Sequence, residues 1–451
     1  MNTPINRQML YNQFLERCIL PIADVARNTS FIKWLNYWRS IQQLNEQELE
    51  ELQNTKLQRI LNHAAQHIPH YQSLNTINQL TLKDFPILHK HEIKKNIDDF
   101  MWHPNLKHKM VCEKSSGSSG IQGTIYMSKE EQSKVIALQT VLWEWAGYKM
   151  GNPMLQTGMT PNRSIEKKVK DLLFNVRYEA AFGLKQEDIL EALESFKNKP
   201  NATFGGYASS LYVYAQTALA HGKTDFHFAS ILSWGDKLFD HYRSTIEKAF
   251  QCRVFDLYGT TEGFVIAAQK DSNYHYILTP QVYVELLDSD GKDVKDGEIG
   301  HVVVTQLDAY EMPLIRYYLG DLAVKLPRSE YPVNKELAFP MFKKIIGRDT
   351  DIIYTPKGRS MVVHSFTGIF EHLPQIKQFR VLQHELSQIT IEFIRDAGFN
   401  PTILQNIQSR ILEELQEEIT IHFNEVEHIP NSPSGKPQLV VSSLQNHNKN
   451  D

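Results

Sequence analysis

The stretch Asp256-Leu257-Tyr258-Gly259-Thr260-Thr261-Glu262-Gly263 decides how the rest of the chain is read. A short apolar strand, 254–258, runs into a turn that offers an aromatic ring, two hydroxyls and a carboxylate within five positions. Tyr258 presents a face on which adenine could stack. Thr260 and Thr261 present hydroxyls suited to a phosphate, and Glu262 presents the hard oxygen that Mg²⁺ prefers. The same letters also fit a polar strand-to-loop turn with a structural tyrosine, so the surroundings have to choose between the two.

Toward the N-terminus, residues 110–260 alternate strand and helix signals. A short strand at Thr124–Met127 precedes a helical run to about residue 148. Helical runs recur at 187–197 and 209–220, and a further apolar strand lies at 229–233. That alternation predicts a sheet covered by helices. Toward the C-terminus, Val282, Val284 and Leu286 alternate with polar residues, Asp290-Gly291 is a hairpin signal, and 301–305 is another strand. Residues 280–326 therefore read as an antiparallel, barrel-like subdomain. Beyond about 348 the order strand 378–383, strand 389–394, helix 402–418, strand 419–426 predicts a compact α+β unit. The fold class expected is α/β and α+β. A large N-terminal domain, 1–347, would hold helix-flanked sheets and the barrel-like part, and a small C-terminal domain would span 348–451.

Four further segments bear on chemistry. Ser115-Ser116-Gly117-Ser118-Ser119-Gly120 continues into Ile121-Gln122-Gly123-Thr124. Glycines let consecutive N–H groups converge on an anion, and the serines add donors. A Ser/Gly run on its own reads first as a flexible linker, and the lysine of a P-loop is missing. Pro313-Leu314-Ile315-Arg316-Tyr317-Tyr318-Leu319-Gly320-Asp321 ends in an aspartate that could accept from both ribose hydroxyls, or could be a turn aspartate. Ile346-Gly347-Arg348-Asp349-Thr350-Asp351 sits at the expected domain junction, where Arg348 could reach a phosphate or ribose. Pro433-Ser434-Gly435-Lys436 places a lysine on a tight turn, a commonplace surface feature that could also neutralise developing charge. The helix predicted over 44–68 carries His63 and His67 four apart. Without Glu-x-x-His context they read as a packed or solvated pair ahead of a metal site.

Composition excludes several classes. The chain has 451 residues, so more than one domain is expected. Its formal charge of −4 gives no reason to expect nucleic acid. Cys18, Cys112 and Cys252 are far apart, which speaks against a disulfide framework or thiolate zinc site and for a reducing compartment. No apolar run approaches the roughly 20 residues of a membrane span, and Pro21 and Asp24 interrupt the best candidate for a signal peptide. A cytoplasmic protein is the expectation.

Taken in this order over 115–436, the five segments resemble the superfamily of acyl- and aryl-CoA synthetases, carrier-protein adenylation domains and luciferases. Leu61-Asn62-His63-Ala64 with Ile68-Pro69-His70-Tyr71, and Met312 ahead of the Asp321 segment, are most similar to the phenylacetate–CoA ligase branch. More narrowly, the chain resembles adenylate-forming proteins found with capsule and secondary-metabolite genes. The resemblance covers the chain from about residue 50 onward. It implies ATP-dependent adenylation of an aryl or short acyl carboxylic acid and then acyl transfer, with ATP and Mg²⁺ as cofactors and CoA or a carrier protein as acceptor. Amide formation and nucleotidyl transfer to a hydroxyl are alternatives. It implies that 115–124 is the loop over the β- and γ-phosphates. Ser233-Trp234-Gly235-Asp236-Lys237 would border the adenine, and Tyr258, next to Gly259 and Thr260, would stack on it. Thr261 would touch the α-phosphate, Glu262 hold Mg²⁺, Asp321 hold the ribose, Arg348 contact the nucleotide, and Lys436 serve the adenylation half-reaction on a mobile domain. The acid pocket would begin at Tyr207 and Ala208, with Trp234 and Phe264 beside it. Ile121-Gln122-Gly123 and Thr350 depart from the residues usual in the family, its cysteine-rich zinc feature is not visible, and a homodimer is left open.

Overall fold

The computed structural model describes residues 7–114, 124–158, 163–181, 185–223, 225–260, 262–348, 352–357, 360–362, 366, 369–370, 373, 375–415, 417–430 and 439–444. Strands β1 (Val111–Lys114) and β2 (Thr124–Met127) pair antiparallel on either side of the Ser/Gly segment. Next come β3 (Met154–Gly158), β4 (Val176–Ala180), β5 (Thr203–Tyr207), β6 (Ser230–Trp234) and β7 (Val254–Gly259). They lie parallel in the order β7-β6-β5-β3-β4. Helices Ile165–Leu173, Gln186–Glu194, Ala208–Ala220 and Asp240–Phe250 make the crossovers. Leu155, Phe204, Ile231 and Val254 sit fully buried among residues of these helices, because a parallel sheet covered on its faces needs apolar side chains pointing both ways.

At β7 the sheet changes character. On one side β7 runs parallel to β6; on the other it pairs antiparallel with β8 (Val265–Gln269). The sheet continues through β9 (His275–Ile277), β10 (Val282–Leu287), β11 (Ile299–Gln306), β12 (Tyr317–Lys325) and β13 (Met341–Arg348). The full order is β10-β11-β12-β13-β9-β8-β7-β6-β5-β3-β4, eleven strands in one sheet. The antiparallel strands expected in a barrel-like subdomain are thus hydrogen-bonded into the parallel sheet, with β10 an edge among the described residues. The expected Asp290-Gly291 turn joins β10 to β11. Gly291 has φ +75° and its N–H reaches Asp288 O at 3.1 Å, a backbone position that suits glycine. One alternation fails: Glu285 of β10 is buried, at 4% exposure, because Arg316 meets it from inside.

The helix predicted over 44–68 is Glu46–His67. Asn45 accepts from Glu48 N and Glu48 reaches back to Asn45 N, a capping box that fixes its start. Helical segments over 7–41, which the sequence reading passed over, pack in the same core cluster as residues of the helix Lys129–Trp145.

The C-terminal part builds its own sheet. β14 (Ile352–Tyr354) and β15 (Ser360–Val362) pair antiparallel. β16 (Ile376–Glu385) and β17 (Gln388–Arg395) pair antiparallel. β18 (Thr420–Glu425) adds parallel to β17, and β19 (Val440–Ser442) adds parallel to β16. The helix Thr402–Leu415 buries Ile407, Ile411 and Leu415, every fourth residue on one face, in a separate core with Val381, Ile391 and Phe393. The result is a large α/β part and a small separate α/β part.

Candidate active site

In open α/β sheets, ligands settle beyond the carboxyl ends of the parallel strands. Those ends are Gly158, Ala180, Tyr207, Trp234 and Gly259. Tyr258 is therefore at the rim, on the strand where parallel pairing gives way to antiparallel. Its Oη donates to Asp321 Oδ2 at 2.8 Å. Asp321 and Arg348 are register partners across β12 and β13, and Arg348 Nε lies 3.2 Å from Asp321 Oδ1. Arg348 Nη1 also donates to Leu319 O at 2.7 Å. Burial, and then the Asp321 carboxylate, push the Tyr258 hydroxyl well above its ordinary range, so it stays protonated and donates. Three segments far apart in sequence converge here on one carboxylate. The carboxylate side chain is 10% exposed and the guanidinium side chain 41%, so the group is open from the arginine side.

After Tyr258 the backbone doubles back. A Cβ on Gly259 would stand 2.5 Å from Phe264 O, which only glycine avoids. Thr260 N donates to Phe264 O at 2.8 Å and Gly263 N to Thr260 O at 3.2 Å. This tight return places Glu262, buried, at its tip. Thr260 Oγ1 is buried with no hydrogen-bond partner among the described residues. Glu262 Oε1 lies 3.2 Å from Lys90 Nζ, and the Tyr317 hydroxyl bonds to the same carboxyl. Burial and the Glu262 charge push the Tyr317 hydroxyl up. Lys90 was not singled out by sequence reasoning. It arrives because Leu88 bridges to Tyr317, with Leu88 N to Arg316 O and Tyr318 N to Leu88 O both at 2.9 Å. A bridge between segments so distant leaves no local signal.

The Gly235-Asp236-Lys237 turn ties the rim together. Gly235 has φ +83°, and a Cβ there would stand 2.5 Å from the Tyr207 ring. Asp236 accepts from Ser209 N at 3.3 Å and from Ser209 Oγ, which anchors the turn to the helix that Ala208 begins. Lys237 Nζ donates to Ile346 O, two residues before Arg348. Trp234 stacks on Trp143, with ring centroids 5.7 Å apart. Tyr207, Ala208 and Trp234 are therefore neighbours along the rim. Phe264, expected beside them, packs in a different cluster, stacked on Tyr317 at 5.9 Å, because the Gly259–Gly263 return turns it inward beneath Glu262. Asp256 is internal as well, bonded to His275 Nε2 at 3.1 Å and Ser233 Oγ at 2.9 Å. His63 is a packed histidine, bonded to Tyr310 O at 2.8 Å and set against Trp102.

Ser115, Ser116, Gly117, Ser118, Ser119, Gly120, Thr261, Thr350 and Lys436 lie outside the described residues. Among the described residues, no three His, Cys, Asp or Glu side chains gather as a metal cluster. Mg²⁺ usually takes one or two protein carboxylates and completes its shell with phosphates and water. A single buried Glu262 fits an ion that arrives with a triphosphate.

Solved structures with this architecture include 2-hydroxyisobutyryl-CoA ligase. In the postadenylation state with 2-HIB-AMP it matches with TM-score 0.70 at 14% identity, over 91% of this chain and 92% of that one. In the thioesterification state with 2-HIB-AMP and CoA the TM-score is 0.55, at 15% identity over 90% and 92%. Sequence relatives point the same way. Phenylacetate-coenzyme A ligase of Pseudomonas putida is 28% identical over 125 residues, 27% of this chain and 26% of that protein. Fold and sequence together support an adenylate-forming superfamily member. Within it, the chain is similar to Protein CapK of Staphylococcus aureus, 24% identical over 429 residues, 91% of this chain and 93% of that protein. Residues 353–443 match the family model of the CapK C-terminal domain.

Proposed function

We propose that the chain joins a small carboxylic acid to ATP, giving acyl-AMP and pyrophosphate, and then passes the acyl group to a thiol, CoA first among candidates. The observation that carries this is the Tyr258–Asp321–Arg348 group standing beside the Glu262 turn where the sheet changes direction. Asp321 accepts one bond from Tyr258 and one contact from Arg348, which leaves lone pairs for the ribose hydroxyls. The Tyr258 ring forms a wall for adenine, and the spare Thr260 hydroxyl is available to a phosphate. Glu262 would hold Mg²⁺, which neutralises phosphate charge when bound. Lys90, already beside Glu262, brings a positive charge to the same place.

In the first step an acid oxygen bonds to the α-phosphorus. The bond from that phosphorus to the bridging oxygen breaks, and pyrophosphate leaves. Lys436 would offset the negative charge that builds there. In the second step the acceptor sulfur bonds to the acyl carbon. The bond to the AMP oxygen breaks, AMP leaves, and the thiol proton passes to solvent. Residues 348–451 would turn between the steps, pivoting near Gly347, whose φ is +116°. The acid, aryl or short acyl, would lie against Tyr207, Ala208 and Trp234.

Pyrophosphate release from ATP and Mg²⁺, across a panel of aryl and short acids with and without CoA, tests the reading. Acid-dependent release, raised further by CoA, is expected. ATP binding with no release for any acid would turn the reading toward nucleotidyl transfer to a hydroxyl. Lys436→Ala is expected to cut acyl-AMP formation by on the order of 10²–10³ and to spare transfer from supplied acyl-AMP. Equal loss of both steps rejects the lysine's role.

A further inference from the structure

Two helical stretches show their apolar faces to solvent. Arg7–Phe14, the π-turn Leu15–Ile19 and Leu20–Arg27 run on as one helical rod, bulged ahead of Pro21, which has no N–H to give. Leu15 and Leu20 face inward. On the outer side, Leu10, Phe14, Ile22 and Val25 recur every three or four residues with Cys18 between them, and Val25 is 85% exposed. The helix Ile165–Leu173 repeats the pattern: Ile165, Val169 and Leu172 form a stripe exposed by 83%, 60% and 82%. The two stretches touch at two points. Arg27 pairs with Glu166 at one end, and Tyr11 Oη donates to Leu173 O at 2.5 Å at the other. A helix on a water-facing surface ordinarily turns such a stripe inward. Here two adjacent helices do the reverse, and contiguous exposed apolar surface marks an interaction site.

Charge identifies the occupant. Every acidic side chain on these helices is engaged within the fold: Glu16 with Arg39, Asp24 with Thr29 and the Phe31 and Ile32 N–H groups, Glu166 with Arg27, and Asp171 with Arg163. Arg7, Arg17, Lys167 and Lys168 are exposed, and no ion pair engages them among the described residues. The patch is thus cationic on a chain whose formal charge is −4. A second copy docking about a two-fold axis would set these cations against their own images. An anionic lipid surface instead pairs them with phosphates while the apolar side chains enter the headgroup boundary, the arrangement of interfacial amphipathic helices. No described helix is long and apolar enough to cross a membrane.

We propose that this two-helix face seats the protein on the surface of an anionic phospholipid bilayer. The test is sedimentation of the full chain with vesicles of phosphatidylcholine alone, or with about a third phosphatidylglycerol, together with light-scattering mass in solution. Binding is expected to the anionic vesicles and to fall with salt. The paired variant Lys167→Glu and Lys168→Glu should lower partition by an order of magnitude or more, at roughly fivefold per charge removed. Val25→Ser with Leu172→Ser should lower it further. All four positions are exposed, so an unchanged melting temperature in each variant separates lost binding from lost folding. Failure to bind, or equal binding to both vesicles, overturns the proposal. So does a wild-type dimer that becomes a monomer in Val25→Ser with Leu172→Ser, since a second copy would then be the occupant.

Discussion

Five positions separate Arg316 from Asp321, and each belongs to a carboxylate–guanidinium pair of a different kind. Arg316 Nε meets Glu285 at 3.0 Å with side chains 8% and 3% exposed. Its Nη1 donates to Phe85 O at 3.1 Å, and its backbone, held at φ +51°, donates to Thr305 Oγ1 at 2.9 Å. Lys83 closes Glu285 from the outside at 3.1 Å. This pair is enclosed by the fold, and its hydrogen bonds go to the protein. The Asp321–Arg348 pair meets at 3.2 Å, but its arginine is 41% exposed and its aspartate keeps accepting capacity. Proximity of opposite charges is common to both; what separates them is whether a ligand could still reach the pair.

That difference can be broken first at its inner end. Glu285→Ala leaves Arg316 charged, buried and uncompensated, and should cost about 3–5 kcal/mol of stability, read by urea denaturation. A loss under about 1 kcal/mol would mean that the pair behaves like a surface contact and that the contrast is false. Asp321→Ala comes next. It should weaken ATP binding by roughly tenfold or more, the worth of hydrogen bonds to a charged acceptor, and titration calorimetry would read it. Unchanged affinity would reject the ribose contact. Lys237→Ala should have a smaller effect. Its bond to Ile346 O joins the Gly235 turn to the strand that carries Arg348, and its loss should cost about 1 kcal/mol in stability while ATP affinity stays within a few fold. A collapse of ATP affinity would show that the turn positions Arg348.

How much of this was legible beforehand follows the range of each interaction. The helix Glu46–His67 could be read because its period and its stop at Pro69 are local. The Asp290-Gly291 turn and the strand–strand–helix–strand succession over 376–425 were legible for the same reason, whereas β14, β15 and β19 were not foreseen. The helical stretches before residue 41 were passed over, and the apolar stripe of the first is turned away from the core, so periodicity could show that stripe without telling which way it faces. Tyr258, Asp321 and Arg348 each stood in a motif that admitted a plain turn as well as a ligand contact. Only the pairing of β12 with β13 brings the last two together. Lys90 and Glu285 were illegible for a related reason. One is delivered by a bridge to Tyr317, and the other is drawn inward by a partner on another strand.

The finest test of the contrast is Tyr258→Phe. The hydroxyl donates to Asp321 Oδ2, while Arg348 approaches the other oxygen, so Asp321 loses one of two protein contacts and remains charged and paired. The ring keeps its place against Phe342, with centroids 6.2 Å apart, and any wall it offers to adenine is unaltered. Stability should fall by about 1 kcal/mol or less, the net worth of one hydrogen bond at a partly open site, and ATP affinity should change by less than roughly fivefold. Two outcomes would revise the account. An affinity loss equal to that of Asp321→Ala would mean that the tyrosine hydroxyl, through its bond, sets the angle at which the carboxylate meets its ligand. A gain in affinity would mean that the hydroxyl competes with the ligand for Oδ2, and the open pair would then be partly closed by the protein itself.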